Sequence, residues 1–249
     1  MTPEQVERYA RHIVLREIGG PGQNKLLGAK VLCIGAGGLG SPALMYLAAA
    51  GVGTLGIVDD DVVSLSNLQR QVLHDTDKVG DLKTDSATAA INRINPEITV
   101  VSHTERLTES NAADIISRYD LVLDGSDNFE TRYLVNATCV ALKIPLISAA
   151  MSQWEGQISL YDPANGGPCY ACVFPERPAA GLAPSCAEAG VMGALAGVMG
   201  SMMAGETIKH ITGAGETLCG QLLIYDALYG EMRKIKTSAN TSCKTCQQG

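Results

Sequence analysis

The feature that most constrains this chain is a glycine cluster set directly behind a short apolar run. Val31-Leu32-Cys33-Ile34 leads into Gly35-Ala36-Gly37-Gly38-Leu39-Gly40, and an acidic patch, Asp59-Asp60-Asp61, begins nineteen residues after Gly40. Strand, glycine turn, helix, second strand and carboxylate in this order make the nucleotide cradle of a Rossmann-type fold. Glycines let the main chain approach phosphate closely, and the free N–H groups of the following helix face its negative charge. Asp59, closing the second strand, is placed to accept hydrogen bonds from ribose hydroxyls. The spacing points to a nucleotide and leaves NAD and ATP both open.

Strand-length apolar runs and helix-period segments alternate through the first 150 residues. Strands are predicted at 31–34, 54–59, 99–103, 121–124 and 145–149, and helices at 38–50, 83–93, 111–118 and 129–142. Such alternation predicts a parallel sheet covered by helices on both faces. Beyond Ala150 the pattern changes to short strands at 157–161, 221–225 and 232–236, expected to extend the sheet in antiparallel or mixed fashion. The expected fold class is therefore α/β: a Rossmann-like doubly wound mixed sheet with a parallel nucleotide-binding half and antiparallel C-terminal strands. Thr2-Pro3-Glu4 reads as the start of an N-terminal helix over 2–16, and Gly19-Gly20-Pro21-Gly22 as a break before the first strand. With no linker or repeat, 1–249 is expected as one unit, divided into a nucleotide-binding half (28–150) and a second half (151–249).

Composition narrows the class further. An apolar fraction of 46% supports a substantial core, and a net charge of −7 argues against nucleic acid as a partner. No basic segment precedes an apolar stretch near Met1, so no signal peptide and a cytoplasmic location are expected. The stretch 189–205 has 17 uncharged residues crowded with Gly and Ala. That is short for a membrane span and suits a helix packed tightly against protein, so no membrane partner is expected.

Eight cysteines without an export signal point to a reducing compartment. Cys33 and Cys139 sit in apolar runs and read as core, and Cys219 has no motif around it. Cys169-Tyr170-Ala171-Cys172 and Cys243-Lys244-Thr245-Cys246 supply four thiolates, the number a tetrahedral structural Zn²⁺ site needs. A redox dithiol is the alternative, but such a motif usually opens a helix whose dipole lowers a thiol pKa. The complete ligand set favours zinc.

After Asp59 the chain is unusually rich in polar groups: Ser66-Asn67-Leu68-Gln69-Arg70, then Lys83 at the head of the next helix. Arg and Lys converging beside a glycine turn suit more than two phosphates, with charge building up during reaction. A merely solvated loop is the competing reading. Asp127-Asn128 follows the fourth strand at the carboxyl end of the sheet, where it can hold Mg²⁺, cap the next helix, or do both.

Together, the glycine turn, the acidic patch, Ser66-Asn67-Leu68-Gln69-Arg70, Lys83, Asp127-Asn128 and the paired cysteines resemble the E1-like adenylyltransferases, bacterial relatives of ubiquitin-activating enzymes. The likeness runs from Arg8-Tyr9-Ala10-Arg11 to the last cysteine pair. It implies ATP-dependent activation of a small ubiquitin-like sulfur-carrier protein, whose C-terminal glycine carboxylate attacks the α-phosphate of MgATP to give an acyl-adenylate and pyrophosphate. A carboxylate is already nucleophilic at neutral pH, so positioning and electrostatics carry the catalysis.

The resemblance also implies roles residue by residue. Gly38 meets phosphate through its N–H, and Asp59 holds the ribose. Ser66, Asn67, Leu68, Gln69 and Arg70 belong to the nucleotide site with Lys83; within it Asn67, Arg70 and Lys83 stabilise the phosphates. Asp127 coordinates Mg²⁺ beside Asn128. Arg11 reaches into a partner subunit, implying a homodimer, and 151–249 becomes the carrier-binding and zinc half. Cys186 matches a cysteine that, in the thiamine-pathway branch, links to the carrier terminus as a sulfur relay. The molybdopterin branch is the first expectation and the thiamine branch the alternative, with sulfur delivered by a separate sulfurtransferase. An NAD-dependent oxidoreductase is the competing reading of another class. It explains the glycine turn and Asp59 but leaves Asn67, Arg70, Lys83 and the cysteine pairs idle.

Overall fold

The computed structural model describes residues 1–177 and 189–247. Its strands are β1 (Lys30–Ile34), β2 (Thr54–Val58), β3 (Thr99–His103), β4 (Leu121–Asp124), β5 (Leu146–Ser152), β6 (Glu155–Tyr161), β7 (Gln221–Asp226) and β8 (Glu231–Lys236). They form one sheet in the order β3-β2-β1-β4-β5-β6-β7-β8. The first five are parallel, and β5 to β8 pair antiparallel. This is the mixed α/β sheet expected from the sequence.

The central parallel strands β1, β2 and β4 are buried on both faces, so they read as apolar runs, whereas β3 at the sheet edge is largely exposed. Val31 and Cys33 of β1 pack with the helix Gly40–Ala50, the helix Lys83–Ile94 and the long helix Gly193–Thr212 through Leu44, Leu47, Ile91 and Met199. Leu32 and Ile34 point the other way, against Ile115 and Ile116 of the helix Ala112–Ile116 and Val135 of the helix Phe129–Leu142. Among the described residues no helix is long and apolar enough to cross a membrane. The small-residue segment instead enters the helix Gly193–Thr212 from residue 193 onward, with Leu195, Ala196 and Met199 fully covered.

Two expectations near the N-terminus are corrected. The helix expected over 2–16 is split into Pro3–Arg8 and Ala10–Ile13. The break at Tyr9 drives its ring into the body of the protein, where it is 2% exposed and its hydroxyl accepts from Asn95 Nδ2 at 2.9 Å. The Gly19-Gly20-Pro21-Gly22 run does not break the chain but opens the helix Gly19–Gly28. Pro21 falls in its first turn, where the missing N–H costs nothing, and Leu26 and Gln23 bury the helix against the core.

Candidate active site

A cavity of about 990 Å³ lies at the carboxyl ends of β1, β2 and β4. The chain winds to opposite sides of β1 here, the point at which open α/β sheets bind ligands. The glycine turn forms one wall. Gly35 has φ +89°, and a Cβ on Gly40 would lie 1.9 Å from the Gly35 carbonyl oxygen, so the turn closes too tightly for any other residue. A Cβ on Gly38 would meet Met151 Cε at 2.9 Å and Arg70 Cδ at 3.6 Å, which places this glycine against the cationic side of the cavity.

Asp59 accepts from the Ala36 N–H at 2.8 Å and the Asp61 N–H at 2.9 Å, and its side chain is 8% exposed. Burial pushes its carboxyl above the ordinary carboxylate range, opposed by the Lys83 ammonium 4.0 Å away. Lys83 itself pairs with Asp61 at 2.6 Å. Arg70 Nη1 donates to the Ser66 carbonyl at 3.2 Å and to Gln69 Oε1 at 3.3 Å.

The remainder of the Ser66–Arg70 string makes local contacts beside the cavity. Arg70 and Gln71 face the cavity, whereas Ser66, Asn67, Leu68 and Gln69 do not line it. Asn67 caps the short 3₁₀ turn Leu65–Asn67, its Oδ1 accepting from the Ser64 N–H at 3.1 Å. Gln69 donates to the Val191 carbonyl at 3.1 Å, just ahead of the long helix. The Asn67 and Gln69 side chains thus brace the turn that carries Arg70.

Across the cavity stand Asp127 and Asn128. Asn128 caps the helix Phe129–Leu142 by accepting from the Thr131 N–H at 2.9 Å, while Asp127 stays exposed. Sequence reasoning missed the network beneath them. Asp124 accepts from Ser126 (N at 3.0 Å, Oγ at 2.6 Å) and from Ser148 Oγ at 2.9 Å. Arg132, buried and on the cavity wall, lies 3.7 Å from Asp124, donates to Ser148 Oγ at 3.0 Å and also to the Ser126 carbonyl. Arg132 sits four residues beyond Asn128 on one helix, and that spacing is the signal that could have found it. Gln71, also missed, leaves a buried Oε1 with no hydrogen-bond partner beside the glycine turn.

Arg11 lies elsewhere, on a separate cavity of about 390 Å³ with Arg8, His12, Tyr46 and Ser201. Within one chain it does not meet the nucleotide cavity. Cys186, and residues 178–184 of the proline-bearing loop, lie outside the described residues. Cys33 and Cys139 are buried as expected, and burial pushes the Cys33 thiol up to about 12.

The four paired cysteines converge although the pairs are 74 positions apart. Sγ separations are 3.8 Å (Cys169–Cys172), 3.7 Å (Cys169–Cys243) and 3.4 Å (Cys172–Cys246). Sulfurs bound tetrahedrally at about 2.3 Å from zinc stand ~3.8 Å apart, so the donor set and its spacing fit that ion. Asn136 fixes the first pair, donating to Cys169 Sγ at 3.8 Å and accepting from the Tyr170 N–H at 2.8 Å.

Sheet order and glycine turn define a Rossmann-like α/β protein, with Asp59, Arg70, Lys83 and Asp127 lining one cavity at the sheet's switch point. The ThiF family profile matches residues 9–245. The chain belongs to that family, the E1-like adenylyltransferases, and is an enzyme of that class. It is 47% identical over 249 residues to the "Sulfur carrier protein adenylyltransferase" of Thermus thermophilus, covering 98% of this chain and 92% of that one. It is 46% identical to the "SAMP-activating enzyme E1" of Haloferax volcanii, covering 98% and 90%. With the "Adenylyltransferase and sulfurtransferase MOCS3" of Bos taurus it shares 47% identity over 99% of this chain and 54% of the longer protein. Among solved structures, E. coli MccB with MccA-N7isoASN superposes with a TM-score of 0.85 at 23% identity, over 98% of this chain and 75% of that one. That likeness concerns the fold.

Proposed function

We propose that this protein adenylates the C-terminal glycine of a ubiquitin-like sulfur-carrier protein, releasing pyrophosphate. The observation that carries this reading is the convergence of Asp59, Arg70, Lys83 and Asp127 on one cavity behind the glycine turn, in a chain about as similar to a named sulfur-carrier adenylyltransferase as 47% identity over almost its whole length. Asp59 takes the ribose hydroxyls, and the N–H groups at Gly37 and Gly38 meet phosphate. Arg70 and Lys83 neutralise charge as pyrophosphate departs, a fixed field that needs no reorganisation in the transition state. Asp127 would hold Mg²⁺, which when bound screens the phosphate oxygens. Cys169, Cys172, Cys243 and Cys246 would hold a structural Zn²⁺ that ties the C-terminal segment to the helix Phe129–Leu142.

A carrier serving molybdopterin synthesis is the first choice of substrate and a thiamine-pathway carrier the second, with sulfur supplied by a separate sulfurtransferase. Arg11 would enter the site of a second copy, making the active form a homodimer. The test is exchange of labelled pyrophosphate into ATP with each purified carrier. Exchange driven by the molybdopterin carrier supports the ranking; exchange with the thiamine carrier alone reverses it. NAD binding without ATP binding ends the adenylation reading.

A further inference from the structure

The glycine turn is held from behind by a histidine that the reaction, as described so far, does not use. His74 is 6% exposed and lies four residues after Arg70. Its Nε2 is 2.9 Å from the Ala36 carbonyl oxygen and its Nδ1 is 2.9 Å from Ser86 Oγ. A carbonyl can only accept, so Nε2 carries the proton and donates. Nδ1 of the neutral ring is then left to accept from the Ser86 hydroxyl, which fixes the tautomer.

This bond has a geometric effect on the cavity. The Ala36 carbonyl and the Gly37 N–H belong to one planar trans peptide and point in opposite directions. Fixing the carbonyl toward His74 therefore fixes the Gly37 N–H away from it, and Gly37 is on the cavity wall. The peptide on the other side of Ala36 is held by Asp59 at 2.8 Å, so both peptide planes around Ala36 are set. Ser41 Oγ adds a longer contact to the same carbonyl at 3.3 Å.

His74 also joins three separate parts of the site. Its own N–H donates to the Gln71 carbonyl at 3.1 Å, within the Arg70 turn. Ser86 stands on the first turn of the helix Lys83–Ile94, three residues beyond Lys83. The ring thus links the phosphate-facing turn to the lysine helix, and the residue's main-chain N–H ties it to the arginine turn. We propose that His74 is a positioning residue for the adenylation site, orienting the glycine turn toward the triphosphate through the Ala36 carbonyl. This rests on the adenylation reading above and adds a residue that acts through backbone without touching substrate.

The test uses the full chain with His74→Phe, which keeps bulk but loses both ring nitrogens, and His74→Gln, whose amide can again donate toward Ala36. Binding of a non-hydrolysable α,β-methylene ATP and of adenosine is measured by calorimetry, beside pyrophosphate exchange with carrier. His74→Phe is expected to weaken the triphosphate analogue about tenfold and to lower exchange kcat by about 10- to 100-fold, the scale of an ångström-level misplacement, with adenosine binding changed less than about twofold. His74→Gln should recover most of both losses. Wild-type behaviour of His74→Phe overturns the proposal. So does a parallel loss of adenosine and triphosphate binding, or a His74→Gln protein that folds yet shows no recovery, because either result marks a purely structural residue. Should wild type bind the analogue but show no exchange with any carrier, the adenylation reading fails alone, and the binding arm still decides His74.

Discussion

Lys83 Nζ lies 2.6 Å from the Asp61 carboxylate and 4.0 Å from that of Asp59, so this buried ammonium is shared between an exposed rim acid and a buried one. Asp61 is 69% exposed and Asp59 only 8%. An incoming triphosphate therefore competes with a solvated partner on one side and lies beside a buried one on the other. Lys83→Ala should lower the exchange rate by about 10²–10³-fold, as expected when a preorganised charge is removed from the transition state. Asp61→Asn should leave the rate within a few-fold. Steady-state kinetics on both variants checks this, and near-normal turnover of Lys83→Ala would remove the lysine from the phosphate site.

Arg70 is presented by a turn that Asn67 caps, so the two residues should fail in different ways. Arg70→Ala removes the charge and should depress kcat with the melting temperature unchanged. Asn67→Ala should cost about 1 kcal/mol of local stability through the lost cap and lower the rate by letting the turn loosen. Thermal melts run beside kinetics separate them. Equal loss of rate from Asn67→Ala with no change in melting would show instead that Asn67 meets the nucleotide directly.

Composite sites have an arithmetical signature. If Arg11 serves a partner's cavity, Arg11→Ala and Lys83→Ala proteins are each inactive, yet mixing and re-equilibrating them rebuilds about a quarter of the sites with both residues native, given random pairing in a two-fold dimer. Recovered exchange activity is the expected result. No recovery from a mixture shown to exchange subunits would place Arg11 outside the chemistry.

Acid sensitivity follows from two buried imidazoles. Burial lowers His74 and His103 below the ordinary value of 6.5. For His103 the Arg118 charge adds to that effect; for His74 the Ala36 carbonyl opposes it. The unfolded chain then binds protons more readily, so the stability these groups contribute is present above 6.5 and is lost as pH falls through their lower folded values. Melting temperature should drop between pH 7.5 and 5.5, and His103→Phe should flatten that slope. An unchanged slope in the variant would mean that His103 takes up no proton on unfolding there.

Removing one zinc ligand tests the cysteine cluster. Cys172→Ala should release metal and loosen the C-terminal segment, since structural zinc binding contributes folding energy directly. Elemental analysis of the native protein is the control, and a stoichiometry near zero would leave the cluster as four free thiols.

Much of the parallel half was legible: both-face burial forces its central strands into apolar runs with sharp polar ends, and the exposed edge strand still carries β-branched residues between turn signals. Thr99–His103, Leu121–Asp124 and the helix Phe129–Leu142 coincide with their sequence readings. The N-terminal break was not legible, because its cause is tertiary. Tyr9 packs where a Cβ on Gly51 would stand 2.4 Å from its ring, and Gly51 is 42 positions away. The same limit hid the link between Arg132 and Asp124, whose shared partners are Ser126 on the loop after β4 and Ser148 on β5. Asn67 shows the converse: residue type and spacing marked it as polar and local, but only geometry separates a cap from a ligand.

The convergence of the two cysteine pairs has a consequence for biogenesis. During synthesis the ribosome releases Cys169 and Cys172 well before the second pair exists, so their sulfurs wait, open to oxidants and stray ions, for the partners they meet in the folded chain. If the four thiols hold zinc as proposed, growth on scarce zinc would leave the C-terminal segment untied.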